Sequence, residues 1–133
     1  MADPTAPTFT YTIPDRLEAL RDFRRDFRRW LADVGMDQPA AEDVVLAAWE
    51  ICANAVEHPR DADGSGVQVE AWASPGVVRI AVRDTGSWLH RSVQRSDRGL
   101  GLRLARALVD RMSILSEQPG TEIVLWRSIG GRA

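Results

Sequence analysis

Glu50 and Asn54 stand four positions apart in the run Trp49-Glu50-Ile51-Cys52-Ala53-Asn54-Ala55-Val56-Glu57-His58. If that run is helical, one turn places a carboxylate beside an amide that can ligate a hard metal ion. The same spacing also suits the solvent-facing polar stripe of an amphipathic helix. Asp84-Thr85-Gly86 closes a strongly apolar run. An acid there can accept hydrogen bonds from a ligand's amino group, while the glycine lets the chain turn close beside it; an ordinary strand-ending turn has the same composition. Arg98-Gly99-Leu100-Gly101-Leu102 sets two glycines before an apolar helical pattern. Free N–H groups and the helix dipole at such a junction receive phosphate oxygens, and Arg98 could complete the charge. Gly120-Thr121 precedes the last strand pattern, where the hydroxyl could reach a base or an ordered water, and a simple turn accounts for it equally well.

These pieces need elements to hold them. Thr8 to Ile13 reads as a short strand closed by Pro14. Asp15 is an N-cap candidate, with Glu18 completing a capping-box pattern, for a helix running to about Val34 and stopping before Gly35. Leu20, Phe23, Phe27, Trp30, Leu31 and Val34 form its apolar stripe, and Arg21, Arg24, Arg25, Arg28 and Arg29 its wet face. A second helix spans Pro39 to His58, stopped by Pro59, with Val45, Ala48, Trp49, Cys52 and Val56 inward and Glu50, Asn54 and Glu57 on a polar stripe. Arg60 to Gly66 is loop-like, and Val67 to Ala73 with Val77 to Asp84 reads as a hairpin. Thr85 to Arg98 lacks a period and reads as an exposed, mobile loop. A third helix begins near Gly99 to Gly101 and uses Leu100, Leu102, Leu104, Ala105, Leu108 and Val109. Met112 to Ser116 and Glu122 to Trp126 are the remaining strands. The order predicts an α+β chain: a two-layer α/β sandwich with three principal helices on one face of a mixed, mainly antiparallel sheet. Residues 8–127 form one domain in this expectation, with flexible termini at 1–7 and 128–133.

Composition removes several chemistries. All 17 basic residues are arginines, so no Schiff-base lysine and no complete Walker A motif exist. Cys52 is the one cysteine, which forbids an internal disulfide and a cysteine-based zinc cage, and two histidines cannot make a three-histidine site. A formal net charge of -2 supplies no long-range field toward nucleic acid or an anionic membrane. No apolar run long enough to span a bilayer and no secretory signal is visible, so a reducing, cytoplasmic location is expected.

Taken in order, the four pieces resemble the Bergerat-fold (GHKL) ATPase superfamily, and within it the anti-sigma-factor serine kinases of bacterial stress and sporulation control. Glu50 to His58 matches the N box, Asp84 to Gly86 the first glycine box, Gly99 to Gly101 the second, and Gly120 with Thr121 the last. The resemblance implies ATP in an open pocket on the helical face, with Asp84, Gly86 and Thr121 at the adenine end. It implies Asn54 as the protein ligand to Mg2+, the amides around Gly99, Leu100 and Gly101 at the terminal phosphates with Arg98 near them, and Glu50 as general base. Its implied partners are a bacterial sigma factor and an anti-anti-sigma protein bearing the acceptor serine, with a homodimer compatible and neither nucleic acid nor membrane bound directly. Two features depart from the family pattern. Trp88 stands where many relatives carry a glycine two positions after Gly86, and the lid is short, with 12 residues from Ser87 through Arg98 that include Arg91 and Arg95. These departures favour, as the alternative, a nucleotide-gated sigma-binding module with weak or absent kinase activity, of the kind found in multidomain stress-response regulators.

Overall fold

Alternation decides which way each strand faces. In the computed structural model, which describes residues 8–14, 16, 18–57, 66–84, 96–117 and 120–129, Val67, Val69 and Ala71 are buried. So are Val78, Ile80 and Val82 on the next strand, and Ile123 and Leu125 on the last. These period-two sets turn one face of the sheet toward the helices. The elements in chain order are β1 (Phe9–Ile13), α1 (Ala19–Asp33), α2 (Gln38–Glu57), β2 (Val67–Ser74), β3 (Val77–Asp84), α3 (Ser96–Leu108), β4 (Arg111–Glu117) and β5 (Gly120–Ser128). The five strands lie in the order β1-β2-β3-β5-β4. All four neighbouring pairs are antiparallel, and β5 continues through Ser128, one residue beyond the expected boundary at 127. The α+β class and the one-sided helical layer are as the residue pattern predicts.

The aromatic stripe of α1 is core. Leu20, Phe23, Phe27 and Leu31 are buried, and Phe9 from β1 packs at 5.3 Å from the Phe27 ring and 5.6 Å from that of Trp30. Tyr11 completes the cluster edge-on to Phe23 and donates from its hydroxyl to Asp26. Partial burial, then that carboxylate, hold its phenol above the ordinary value. The helix begins at Ala19 rather than at the predicted Asp15, which lies outside the described residues. The Arg16 backbone N–H donates to the Pro14 carbonyl and that of Ala19 to the Arg16 carbonyl, and Glu18 at the cap position makes no side-chain cap bond. The other end follows the expectation. Gly35, at φ +89°, donates to Ala32 while Met36 donates to Leu31, the paired bonds of a Schellman stop that a left-handed glycine permits.

Helix α2 is the central element. It contacts α1, α3, β2, β3 and β5, and accordingly buries more than the single predicted stripe: Val44, Ala47 and Ile51 join Val45, Ala48 and Cys52. Burial holds the Cys52 thiol well above its ordinary pKa and keeps it protonated. Arg28 of α1 clamps the exposed side of α2 through Glu42, with Nε to Oε2 at 2.7 Å and a second guanidinium nitrogen to Oε1 at 3.0 Å. Those hydrogen bonds hold the Glu42 carboxyl below its ordinary value. Helix α3 begins at Ser96, ahead of Gly99, so Ser96 to Arg98 are helical rather than loop, and the rest of the predicted loop, residues 85–95, lies outside the described residues. Ser96 and Asp97 are residue types favoured in a helix's first turn. Leu102, Ala105 and Val109 are buried as expected, whereas Leu104 is exposed.

Two tests follow from this packing. A Cβ at Gly66 (φ +74°) would sit 2.3 Å from the Ile13 carbonyl oxygen, whereas one at Gly76 (φ +87°), in the β2–β3 turn, meets nothing within 4 Å. In urea titrations Gly66→Ala should cost about 2–4 kcal/mol and Gly76→Ala about 1 kcal/mol; equal costs would refute the close approach. Because the folded-state pKa of Glu42 is depressed, its contribution is present above the unfolded value and is lost as pH falls through the lowered folded one. Both partners are roughly half exposed, so Glu42→Gln should lower stability at pH 7 by less than about 1 kcal/mol, with the difference from wild type fading as acid protonates the carboxyl.

Candidate functional site

The sheet's register brings two of the predicted ligand residues together. Asp84, the last residue of β3, is the direct cross-strand partner of Thr121 on β5. In an antiparallel pair such residues project from the same face with Cβ atoms about 5 Å apart. That face is the helix-covered one, since Val82 and Ile123 one step inward are both buried. Thr121 is 3% exposed and Asp84 half-buried. Val67 lies opposite Asp84 and Ile13 opposite Val67, so an apolar wall flanks the carboxylate and hydroxyl. Gly120 and Thr121, predicted to precede the last strand, are its first two residues.

Helix α2 contacts β2, β3 and β5 and carries Glu50 and Asn54 in its C-terminal half. Glu50 is half-buried, between the fully buried Ala47 and Ile51, and Asn54 follows one turn later in the same helix. The side chain of Asn54 lies outside the described part of the structure, as do Gly86, Trp88, Arg91 and Arg95. Helix α3 packs against α2 and carries Arg98, Gly99, Leu100 and Gly101 in its first two turns. The glycines therefore stand inside the helix rather than ahead of it, a correction to the predicted boundary. The free amides of an α-helix are those of its first turn, so in this conformation the donors at the start of α3 belong to the residues from Ser96 onward. Gly101 is buried on the helix that meets α2.

Sequence reasoning missed the residue that fastens these elements. Arg127 is buried on β5, in the same inward set as Thr121, Ile123 and Leu125. Its guanidinium reaches Asp43 of α2 at 3.1 Å and Asp110, between α3 and β4, at 3.8 Å. Asp110 also accepts from the Ser128 backbone N–H at 2.7 Å. Period-two alternation carried one step past Trp126 would have turned Arg127 inward, where a cation requires carboxylates. Asp43 lies two turns before Glu50, so this clip ties the helix of Glu50 and Asn54 to the strand of Thr121.

What this arrangement can do is bind. A half-buried carboxylate beside a buried hydroxyl, on an apolar-walled sheet end, offers an acceptor to an exocyclic amine and a hydroxyl to a ring nitrogen or water. Among the described residues no group of three or more His, Cys, Asp or Glu side chains is clustered for a metal ion, and no helix is long and apolar enough to cross a membrane.

Residues 13–126 match the histidine kinase-like ATPase domain, and the chain belongs to that family. It is similar to the structure of the RsbU and RsbW domains of Rv1364c from Mycobacterium tuberculosis, at 34% identity and a TM-score of 0.77 over 97% of its own length. It spans 34% of that longer chain. The fold is shared with a structure of the SiaB-SiaC complex from Pseudomonas aeruginosa, at 14% identity and a TM-score of 0.61, covering 92% of this chain and 91% of that one.

The Arg127 clip is testable by itself. Because Asp43 and Asp110 keep side-chain exposures of 40% and 34%, Arg127→Met should cost about 1–3 kcal/mol in urea denaturation, below the loss expected for breaking a fully buried ion pair. An unchanged midpoint would show that the clip does not hold α2.

Proposed function

We propose that the chain is an anti-sigma factor that also acts as a Mg-ATP-dependent protein-serine kinase toward an anti-anti-sigma partner, in the bacterial cytoplasm. The opposition of Asp84 and Thr121 across β3 and β5 carries the nucleotide part of this proposal, because it sets a carboxylate acceptor and a hydroxyl side by side at one end of the sheet. Membership of the histidine kinase-like ATPase family supports ATP as the ligand, and the likeness to a structure containing an RsbW domain supports the regulatory role. The likeness to the SiaB-SiaC structure supports the fold alone. Residues 8–127 serve as the catalytic unit.

Bound Mg-ATP would supply an electrophilic γ-phosphoryl group. Asp84 accepts from the adenine amine, with Gly86 leaving room beside it and Thr121 fixing the ring's other edge. Asn54 would hold the magnesium, and amides at the start of α3, with Arg98, Gly99, Leu100 and Gly101 near them, would take up phosphate charge. Glu50 takes the proton of the incoming serine hydroxyl as the new oxygen–phosphorus bond forms and the bond to the departing ADP oxygen breaks. One feature keeps a second reading in view. The stretch between β3 and α3 covers only residues 85–95, with Trp88 in place of a glycine, which favours a nucleotide-gated sigma-binding module with little phosphate transfer.

Purified protein incubated with γ-labelled Mg-ATP and its serine-bearing partner should transfer label. Glu50→Ala should reduce transfer by about 100-fold or more while leaving nucleotide affinity near wild type. Asp84→Asn should weaken nucleotide binding by about tenfold or more. Binding without transfer by wild type would select the gated module, and no binding at saturating Mg-ATP would remove both.

A further inference from the structure

The face of the sheet turned away from the helices carries an ordered row of side chains. Trp72 on β2 is the cross-strand partner of Arg79 on β3, Arg79 of Trp126 on β5, and Trp126 of Arg111 on β4. Tryptophan and arginine thus alternate over four adjacent strands. The Arg79 guanidinium lies 4.1 Å from the centre of the Trp72 ring, and that of Arg111 lies 4.8 Å from the Trp126 ring. Stacking uses the flat face of a guanidinium and leaves its N–H donors at the rim, directed to whatever covers the sheet. Both arginines are exposed, and the two rings are half-buried.

Charge on this face is unevenly matched. Arg83 is paired with both Glu70 and Glu122, which consumes the carboxylates beside the row. Among the described residues Arg79 and Arg111 have no carboxylate within ion-pair distance. Although the whole chain has a formal net charge of -2, this face therefore presents two uncompensated cations on an aromatic floor, with Leu115 50% exposed along its β4 edge. The arginines originate two strands apart, about 10 Å at ordinary interstrand spacing. Seven residues of an α-helix rise about the same distance.

We propose that the open face of the sheet docks an acidic amphipathic helix of a partner protein, laid across the strands. Carboxylates seven residues apart on that helix meet Arg79 and Arg111, and an apolar residue between them packs on Trp126. A second copy of this chain fits less well, because a two-fold contact through this row sets arginines against arginines. Single-stranded nucleic acid fits less well too, since a guanidinium already occupies a face of each ring and Glu70 and Glu122 oppose phosphate. This surface lies on the opposite side of the sheet from Asp84 and Thr121 and does not depend on the nucleotide reading.

The test uses the full chain labelled with 15N and a synthetic 21-residue helical peptide bearing Glu at every seventh position, flanked by Leu, on an Ala background. A matched peptide with Lys for Glu and a dodecamer of deoxythymidine are the comparison ligands. Indole N–H signals are assigned with Trp72→Phe and Trp126→Phe. The expected result is a saturable shift of the Trp72 and Trp126 signals with those of Trp30 and Trp49 unmoved. Affinity should fall about tenfold or more in Arg79→Glu/Arg111→Glu, whose other signals report an intact fold, and remain at wild-type level in Glu50→Ala. The proposal is overturned by unmoved Trp72 and Trp126 signals, by equal binding of the Lys peptide, by undiminished binding to the charge-reversed variant, or by tighter binding of the oligonucleotide. Sedimentation showing self-association through this face that charge reversal abolishes would likewise overturn it.

Discussion

The antiparallel register of β3 on β5 is the constraint on which both faces of the molecule depend. Because side chains alternate along a strand, one pairing decides at once that Asp84 meets Thr121 beneath the helices and that Arg79 meets Trp126 on the outside. A slip by one residue would turn Val82 and Ile123 to solvent and bury Arg83 and Glu122. The apolar cost of such a slip is large enough to pin the register without any ligand. The pairing of Asp84 with Thr121 and the tryptophan–arginine row are therefore two products of one hydrophobic pattern.

The helical layer adds positional rather than chemical information. Helix α2 touches the sheet, α1 and α3, so its rotation is fixed by apolar contacts on several sides, with Glu50 half-buried among them. Arg127 and Asp43 fix its position along β5 at the opposite end from Thr121. Arg28 and Glu42 do the same toward α1 from the solvent side. Ion pairs thus hold α2 from two sides, Arg28 with Glu42 at the surface and buried Arg127 with Asp43 beneath.

Much of this was legible in the residues because most of the signals are local. The aromatic spacing of α1, the Gly35 stop, the proline-bounded α2 and the β2–β3 hairpin all express periods or backbone restrictions carried by neighbouring residues. The start of α1 was not, since the backbone bonds accepted by Pro14 and Arg16 compete with an otherwise good capping pattern at Asp15. Nor was the start of α3, because Gly99 and Gly101 read as a loop while the helix includes them. At the site, the spacing of Glu50 and Asn54 and the strand-end position of Asp84 could be read directly. The opposition of Asp84 to Thr121 could not, and neither could the tryptophan–arginine row, because pairing register is a property of distant segments. Arg127 lay between these cases: alternation pointed it inward, but its carboxylates come from α2 and from the turn before β4.

Cys52 gives the molecule a built-in reporter. Its sulfur sits toward the C-terminal end of α2, fully enclosed, and it is the sole thiol in the chain. Oxidants and alkylating agents can reach it only when that helix lifts from the sheet, so the rate of thiol labelling measures how often the layer bearing Glu50 and Asn54 opens. A tightly bound occupant between the layers would slow that chemistry without touching the sulfur, making a single atom a gauge of occupancy from inside the core.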